Sequence, residues 1–203
     1  MSSKTVIAVV GPTAIGKTSL AIALAQQYQT HILSADSRQF YKEMRIGTAV
    51  PSTEELAAAP HHFIQHRSIH DSYSVGDFER DAIHLLQELF ETHDIVILVG
   101  GSGLYVDAVT KGLDNFPKVA PEIRLDLNKQ LKNKGIANLQ NELERLDPKY
   151  FKTVDRLNPQ RLIRALEVCI GSGMPYSSFM EHSPTNRPFD TQYIALTADR
   201  DLI

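Results

Sequence analysis

The segment at residues 11–18 restricts the fold of this chain more than any other feature of its sequence. It fulfils the pattern G-x-x-x-x-G-K-[ST] and comprises Gly11, Pro12, Thr13, Ala14, Ile15, Gly16, Lys17 and Thr18. The apolar run at 6–10 predicts a strand buried on both faces, and the leucines and alanines at 18–28 follow helical spacing. A strand, this loop and a helix in succession are the context that identifies a phosphate-binding loop.

The chemistry of this loop is that of a diphosphate site. Backbone N–H groups of such a loop and of the following helix N-terminus surround phosphate oxygens. Lys17 supplies a point charge, and the hydroxyl of Thr18 is suited to hold a magnesium ion. We therefore predict that the whole of residues 11–18 binds a diphosphate, with Thr18 as the metal ligand. The loop alone does not determine whether the phosphates belong to a nucleotide.

The alternation of strand and helix patterns predicts the fold class. Further strands are predicted at 31–34 and 94–99, and an amphipathic helix at 78–92 follows the capping box of Ser74 and Asp77. This order predicts an α/β fold, with a parallel P-loop sheet flanked by helices and ligands at the carboxyl ends of the strands. Residues 42–60 have no strong period and are predicted to be a loop with at most a short helix.

The composition changes after residue 114 to leucine-spaced, lysine-rich helical segments. We predict a P-loop core at 1–114, a basic helical insertion at 115–189 and a strand that returns to the core within 190–203. The net charge is -3, yet Lys and Arg clearly outnumber Asp and Glu between residues 118 and 164. Two interpretations of this basic region remain open, a polyanion site and an ordinary solvated surface. The sequence stops shortly after the returning strand, so we expect a piece of a longer protein.

Other features of the sequence concern location and metal binding. No apolar run approaches the ~20 residues of a membrane span, and no secretory signal precedes the first strand. We therefore expect a cytoplasmic protein without a membrane partner, and a monomer. Cys169 lies in an apolar helical pattern and is predicted to be a core side chain. The histidines at 61, 62, 66 and 70 favour structural or surface roles over a metal site, because neither cysteine nor a helical pairing accompanies them.

Asp36 is the candidate catalytic carboxylate. It follows the second predicted strand, so it should face the same crevice as the phosphate-binding loop. The strand at 94–99 ends in Gly100, Gly101 and Ser102, without the acidic residue that usually completes the magnesium site of a nucleotide-hydrolysing P-loop protein. Asp36 is thus a candidate general base, and a cap for the next segment is the equal alternative.

The phosphate-binding loop is one of several segments that together resemble a known family. With GPTAIGKT, SADSRQFYKEMRIGTAVPS, PHHF, YSVGDFERDA, GGSGLYVDAV and NPQRLIRALEV in this order, the chain resembles the bacterial tRNA dimethylallyltransferases. That family uses magnesium to transfer a dimethylallyl group from dimethylallyl diphosphate to the exocyclic amine of the adenosine just 3′ of the anticodon. The chain departs from the family at Ser102, commonly Thr, and at Arg45 and Val50, commonly Asp and Lys; family members also continue further.

The resemblance implies a role for each of the candidate residues. Asp36 would accept the amine proton, Lys17 and Mg²⁺ on Thr18 would meet the charge of the leaving pyrophosphate, and the Ser102 hydroxyl would donate to the released oxygen. The implied contacts to the tRNA anticodon stem-loop come from Asp36, Ser37, Arg38, Gln39, Ser102, Gln160, Arg161, Leu162, Ile163 and Arg164, with Arg124 added as a phosphate contact. We expect the present chain to bind the small substrate but to transfer the prenyl group poorly.

Two other classes of function compete with this interpretation. One is a small-molecule kinase, which would need arginines in a lid over the γ-phosphate. The other is a non-catalytic nucleotide-binding switch or RNA-binding module, of which the switch would need a strand-end Asp-x-x-Gly. We find neither pattern in the sequence.

Overall fold

The structure is a computed structural model and describes residues 3–180 and 186–198. Contacts divide the chain into two units. Met1–Leu113 and Pro184–Ile203 form the first, here called the P-loop unit, and Asp114–Ser183 form the second, the helical unit. Phe189 packs against Phe90 in the core of the P-loop unit, with ring centroids 5.7 Å apart. The helical unit is therefore shorter at its C-terminal end than the insertion predicted to reach residue 189.

A five-stranded sheet in the order β3-β2-β4-β1-β5 forms the centre of the P-loop unit. Its strands are β1 (Thr5–Val10), β2 (Ile32–Ser34), β3 (His61–His62), β4 (Ile95–Val99) and β5 (Asp190–Ala195). Every neighbouring pair runs parallel, which confirms the predicted fold class. The two residues of β3 directly follow the stretch without periodicity at 42–60 and are too few to show an alternating pattern, so the sequence did not predict this strand.

Helices cover both faces of this sheet. They are α1 (Lys17–Tyr28), α2 (Thr53–Ala58), α3 (Val75–Leu89) and α4 (Gly103–Thr110). In β1, Val6 and Ala8 point into the core cluster that contains Phe78 of α3, whereas Ile7 and Val9 point into the cluster that contains Ala21 of α1. The alternation explains why β1 is apolar at every position from Val6 to Val10. The capping box of Ser74 and Asp77 is confirmed at the start of α3.

Two glycines bring the carboxyl ends of the strands close together. A Cβ atom at Gly100, after β4, would lie 2.6 Å from the carbonyl oxygen of Ala35, which follows β2. Gly11, after β1, has a φ of 143°, and a Cβ there would lie 2.4 Å from the carbonyl oxygen of Leu196. Glycine has no side chain, so the segments after β1 and β4 can approach the backbones of Leu196 and Ala35 this closely.

The helical unit packs its helices around a core of leucines. It contains α5 (Pro121–Lys134), α6 (Ile136–Leu146), α7 (Pro148–Phe151), α8 (Pro159–Ser172) and a 3₁₀ helix at Tyr176–Phe179. Asn158 caps α8 by accepting hydrogen bonds from the N–H groups of Gln160 and Arg161, as its sequence position predicts. Cys169 is buried in the same core, and burial raises the pKa of its thiol. In neither unit does the described part of the chain contain a helix long and apolar enough to cross a membrane.

His66 lies in an aromatic cluster of the P-loop unit. Its ring centroid is 5.4 Å from that of Phe40 and 5.3 Å from those of Phe63 and Tyr73. Neither ring nitrogen has a hydrogen-bond partner among the described residues. Burial, followed by the charge of Arg67, lowers the pKa of His66 to about 4. The ring is therefore neutral in the folded protein at neutral pH.

We predict that His66 makes the protein less stable in mild acid. An unfolded histidine has a pKa of ~6.5, so the unfolded chain binds a proton that the folded chain excludes between pH 6.5 and about 4. Stability is thus lost as the pH falls through this window. Because the ring is only partly buried, we expect a loss on the order of 2 kcal/mol. In urea unfolding at pH 7.5 and 4.5, His66→Phe should remove this loss, whereas His84→Phe on α3 should retain it; equal pH dependence of wild type and His66→Phe would contradict the prediction.

Candidate functional site

The predicted phosphate-binding loop lies between β1 and α1, and it lines the larger of two neighbouring cavities. Gly16 has a φ of 94° and is the N-cap of α1, so the first N–H groups of the helix are directed at the loop. The larger cavity has a volume of about 360 Å³. Its lining includes Thr13, Lys17, Thr18, Asp36, Val50 and Gly101. The structure thus brings residues after β1, β2 and β4 together, as expected for a parallel sheet.

Lys17 is the cation of this cavity. Its Nζ atom donates to the carbonyl oxygen of Pro12 at 2.5 Å, so the side chain folds back over the loop. Partial burial lowers the pKa of Lys17, and the negative charge of Asp36 acts in the opposite direction. The ammonium group also lies near Gly101, since a Cβ atom built there would be at 3.8 Å from Nζ. A charge held in such a partly desolvated loop attracts anions more strongly than it would in water.

Asp36 lines both cavities. Its Oδ1 atom accepts a hydrogen bond from the N–H of Arg38 at 3.0 Å, the geometry of an Asx turn. The smaller cavity, of about 140 Å³, shares Asp36, Thr13 and Gly101 with the larger one. The carboxylate is thus both a cap for the following turn and a group that can reach ligands in two spaces. The two interpretations that the sequence left open are compatible in this geometry.

Ser102 lies at the smaller cavity, together with Arg38, Gly47 and Thr48. Its Oγ atom accepts from the N–H of Ser37 at 3.4 Å and lies 3.4 Å from the Ser37 hydroxyl. Of the implied base-contacting residues, Asp36, Arg38 and Ser102 line this space directly. Ser37 hydrogen-bonds to Ser102, which lines this cavity.

The side-chain amide of Gln39 is hydrogen-bonded within the protein. Its side chain is only 8% exposed, and Oε1 accepts from the hydroxyl of Ser34 at 2.9 Å. Nε2 donates to the carbonyl oxygens of Thr48 and Ala49 at 3.3 and 2.7 Å. The amide is therefore hydrogen-bonded within the protein while Gln39 also lines the larger cavity, and its contact with a tRNA base stays a prediction. Gln39 fixes the backbone of the segment that forms one wall of both cavities.

Apolar residues, here called the apolar wall, form part of the lining of the larger cavity, and the sequence did not indicate them. They include Ala49, Val50, Pro51, Ile64 and Val99, and Glu55 and His61 line the same cavity. Most of these apolar residues belong to loops without periodicity, so no pattern in the sequence indicated that they would meet. An apolar wall beside a phosphate-binding loop suits a ligand that carries a small hydrocarbon on a diphosphate.

The four histidines of the predicted surface cluster lie in different environments. His61 lines the larger cavity, and its Nδ1 atom lies 2.8 Å from the carbonyl oxygen of Ala59. His62 pairs with His31, with 2.8 Å between Nε2 and Nδ1. His66 belongs to the aromatic cluster, and the side chain of His70 is exposed. Their side chains therefore do not converge on one point.

In the helical unit, a buried carboxylate organises the predicted tRNA-contacting arginines. Glu167 is 2% exposed, and it accepts from Arg164 at 2.6 Å and from Arg124 at 3.2 Å. Arg124 also donates to the side-chain oxygen of Gln160 at 3.2 Å. Both guanidinium groups therefore have internal partners while remaining about half exposed. The side chain of Arg161 is exposed at the start of α8.

Leu162 and Ile163 are a correction to the predicted tRNA contacts. Both side chains are 0% exposed in the core of the helical unit, where they pack near Leu127 and Leu139. Side chains without accessible surface cannot contact a nucleic acid. Only the polar face of this segment is accessible, as the helical period of Gln160, Arg161 and Arg164 predicts.

Comparisons with known proteins agree with this geometry. A family model described as IPP transferase matches residues 39–203. The tRNA dimethylallyltransferase of Christiangramia forsetii is 60% identical over 99% of this chain and 67% of its own length. The enzyme of the same name from Flavobacterium johnsoniae is 53% identical over 98% of this chain and 67% of its own.

Solved structures give the same assignment. The full-length tRNA isopentenylpyrophosphate transferase of Bacillus halodurans is 37% identical, with a TM-score of 0.54 over 85% of this chain and 57% of its own. A eukaryotic dimethylallyltransferase acting on tRNA is 27% identical, with a TM-score of 0.81 over 98% of this chain and 50% of its own. The chain belongs to the tRNA dimethylallyltransferase family. It spans about two thirds of the length of these curated relatives and about half of the eukaryotic chain.

Proposed function

We propose that the protein transfers a dimethylallyl group from dimethylallyl diphosphate to the exocyclic amine of the adenosine 3′ of the anticodon in tRNA. The observation that carries the proposal is the position of Asp36 at the wall shared by the two cavities. The larger cavity offers a phosphate-binding loop and an apolar wall, as the donor requires. The smaller cavity offers polar groups for an adenine. We also propose a cytoplasmic location and a monomeric state.

The proposed step forms one bond and breaks another. The amine nitrogen attacks the allylic carbon that bears the diphosphate, the C–O bond breaks, and its electron pair leaves with the pyrophosphate. The amine proton passes to the Asp36 carboxylate, because the nitrogen lone pair, delocalised into the ring, is a weak nucleophile until that proton is accepted. Lys17 and the loop N–H groups stabilise the charge that develops on the leaving pyrophosphate.

Magnesium is part of the proposal, with Thr18 as its protein ligand. Mg²⁺ usually keeps several waters and is held by one or two protein groups together with substrate phosphates. The residues described offer the Thr18 hydroxyl at the larger cavity and no group of three acidic, histidine or cysteine side chains placed to hold a metal. This donor set fits an ion that is bound mainly by the diphosphate. Such an ion would neutralise charge on the pyrophosphate when bound.

Ligand-induced stabilisation tests the donor assignment. We expect dimethylallyl diphosphate with Mg²⁺, at about 100 times its dissociation constant, to raise the melting temperature by about 5–10 °C. ATP with Mg²⁺ should raise it far less, because the apolar wall near Val50 and Ile64 suits a hydrocarbon better than a ribose. Inorganic pyrophosphate should give an intermediate rise. A larger rise with ATP than with the allylic diphosphate would refute the proposal and favour a kinase.

A further inference from the structure

A loop at residues 42–49, here called the 42–49 loop, forms the outer wall of the smaller cavity. Gly47 and Thr48 line that cavity, and Ala49 lines the larger one. Inside the loop, the hydroxyl of Thr48 donates to the carbonyl oxygen of Met44 at 2.5 Å. From behind it, Gln39 donates to the carbonyl oxygens of Thr48 and Ala49. The C-terminal half of the loop is thus held by buried hydrogen bonds.

The N-terminal half of the 42–49 loop is anchored as well. The N–H of Lys42 donates to the carbonyl oxygen of Arg67 at 2.9 Å. The carboxylate of Glu43 accepts from the hydroxyl of Ser68 at 2.7 Å and from the N–H of Ile69 at 3.1 Å. Both ends of the loop are therefore fixed to the P-loop unit, and its apex has a defined position relative to Asp36.

Ile46 occupies this apex and is 98% exposed, the highest value among the large apolar side chains described. Scattered exposed apolar residues are ordinary on protein surfaces and need no function. Ile46 differs from them in two respects. It is held out by an anchored loop, and the next two residues line the smaller cavity. Its flanking residue Arg45 is cationic and exposed, so the apex combines an apolar tip with a positive charge.

We propose that Ile46 is a wedge that packs against the bases flanking the acceptor adenosine and takes the space which that base leaves when it enters the smaller cavity. The inference rests on the proposed function. Unstacking a base costs free energy, which an enzyme must offset by contacts that exist only when the base is out. A branched apolar side chain makes such contacts with base faces and needs no hydrogen-bonding pattern. Arg45 contacts phosphate, which favours an RNA loop over an apolar protein groove as the partner of this apex.

Fluorescence of 2-aminopurine tests the wedge. The probe is an anticodon stem-loop with 2-aminopurine at the acceptor position, titrated with the chain to saturation at low salt. With wild type, the fluorescence should rise as the base leaves the stack. Ile46→Ala should weaken binding about tenfold, from the loss of buried apolar surface, and should lower the rise at saturation. Ile46→Leu, which keeps the apolar bulk, should restore both.

Two controls distinguish contacts of Ile46 with bases from a loss of phosphate contacts. Arg45→Ala should weaken binding with a salt slope reduced by about one, as expected for a lost phosphate contact, while the fluorescence at saturation stays at the wild-type level. Ile46→Ala should leave the salt slope unchanged. In a stem-loop with abasic residues on both sides of the acceptor, Ile46→Ala and wild type should bind equally, because the wedge then has no base faces to contact.

The outcomes distinguish this inference from the proposed function. If Ile46→Ala binds the intact stem-loop as tightly as wild type, or keeps its defect on the abasic RNA, the wedge is wrong. If wild type itself gives no fluorescence rise, the base is not extruded and the acceptor side of the proposed function fails. The thermal response to dimethylallyl diphosphate should be the same in Ile46→Ala and wild type; a lost response would mean that the substitution disturbs the larger cavity, which also overturns the wedge.

Discussion

Replacing Asp36 with asparagine is expected to lower the rate of prenyl transfer by ~10²-fold or more, the usual contribution of a positioned general base. The substitution is nearly isosteric. Because Asn also has a side-chain oxygen, it can still accept from the N–H of Arg38, so the Asx turn is retained. What disappears is the group that accepts the amine proton. Single-turnover prenylation of an anticodon stem-loop, in a chain of the relatives' full length, measures the chemical step.

The affinity for dimethylallyl diphosphate distinguishes a chemical role of Asp36 as general base from a structural role as cap of the following turn. Asp36→Asn should bind dimethylallyl diphosphate as well as wild type or slightly better, because it removes a negative charge close to Lys17. The matched control is Asp71→Asn, since Asp71 also accepts from a backbone N–H, that of Ser68, but lies outside both cavities. An unchanged single-turnover rate in Asp36→Asn would reassign Asp36 as a cap without a chemical role.

The elements that follow directly from the sequence are those fixed by local chemistry. The phosphate-binding loop follows from its spacing, and the caps of α3 and α8 follow from Ser74 and Asn158, because a capping side chain acts on N–H groups two or three residues away. The helix predicted at 78–92 is observed three residues earlier, at Val75–Leu89, because it begins directly after its cap. The predicted ends of β1, β2 and β4 are also close to those observed, since continuous apolar runs are typical of strands covered on both faces. From these strand ends the positions of Lys17 and Asp36 follow by topology.

What the sequence did not reveal depends on contacts between distant segments. Gln39 lines the larger cavity together with Asp36, but the sequence did not reveal that its amide is hydrogen-bonded to Ser34, Thr48 and Ala49. Thr48 and Ala49 belong to the stretch without periodicity, so no pattern indicates these contacts. For Leu162 and Ile163 the helical period alone indicates burial, and the family motif that includes them does not distinguish its inner from its outer face.

Replacing Lys17 with alanine is expected to weaken the binding of dimethylallyl diphosphate with Mg²⁺ by about 10- to 100-fold, as for the loss of a charge-assisted hydrogen bond to phosphate. The loop N–H groups remain in the variant, so binding should be reduced and not abolished. Isothermal titration measures the affinity directly. Lys111→Ala is the matched control, because it removes a lysine of the same unit whose side chain is 63% exposed and paired with Asp107.

The Lys17→Arg variant tests whether a positive charge at this position is sufficient for diphosphate binding. The guanidinium group keeps the positive charge but is wider than an ammonium group and binds in a planar fork. Nζ of Lys17 donates to the carbonyl oxygen of Pro12 within the loop, a contact that the longer and planar head group of arginine does not reproduce with the same geometry. We therefore expect Lys17→Arg to bind the diphosphate almost as weakly as Lys17→Ala. If Lys17→Arg bound like wild type, the site would require only a charge; if Lys17→Ala bound like wild type, the diphosphate would bind elsewhere.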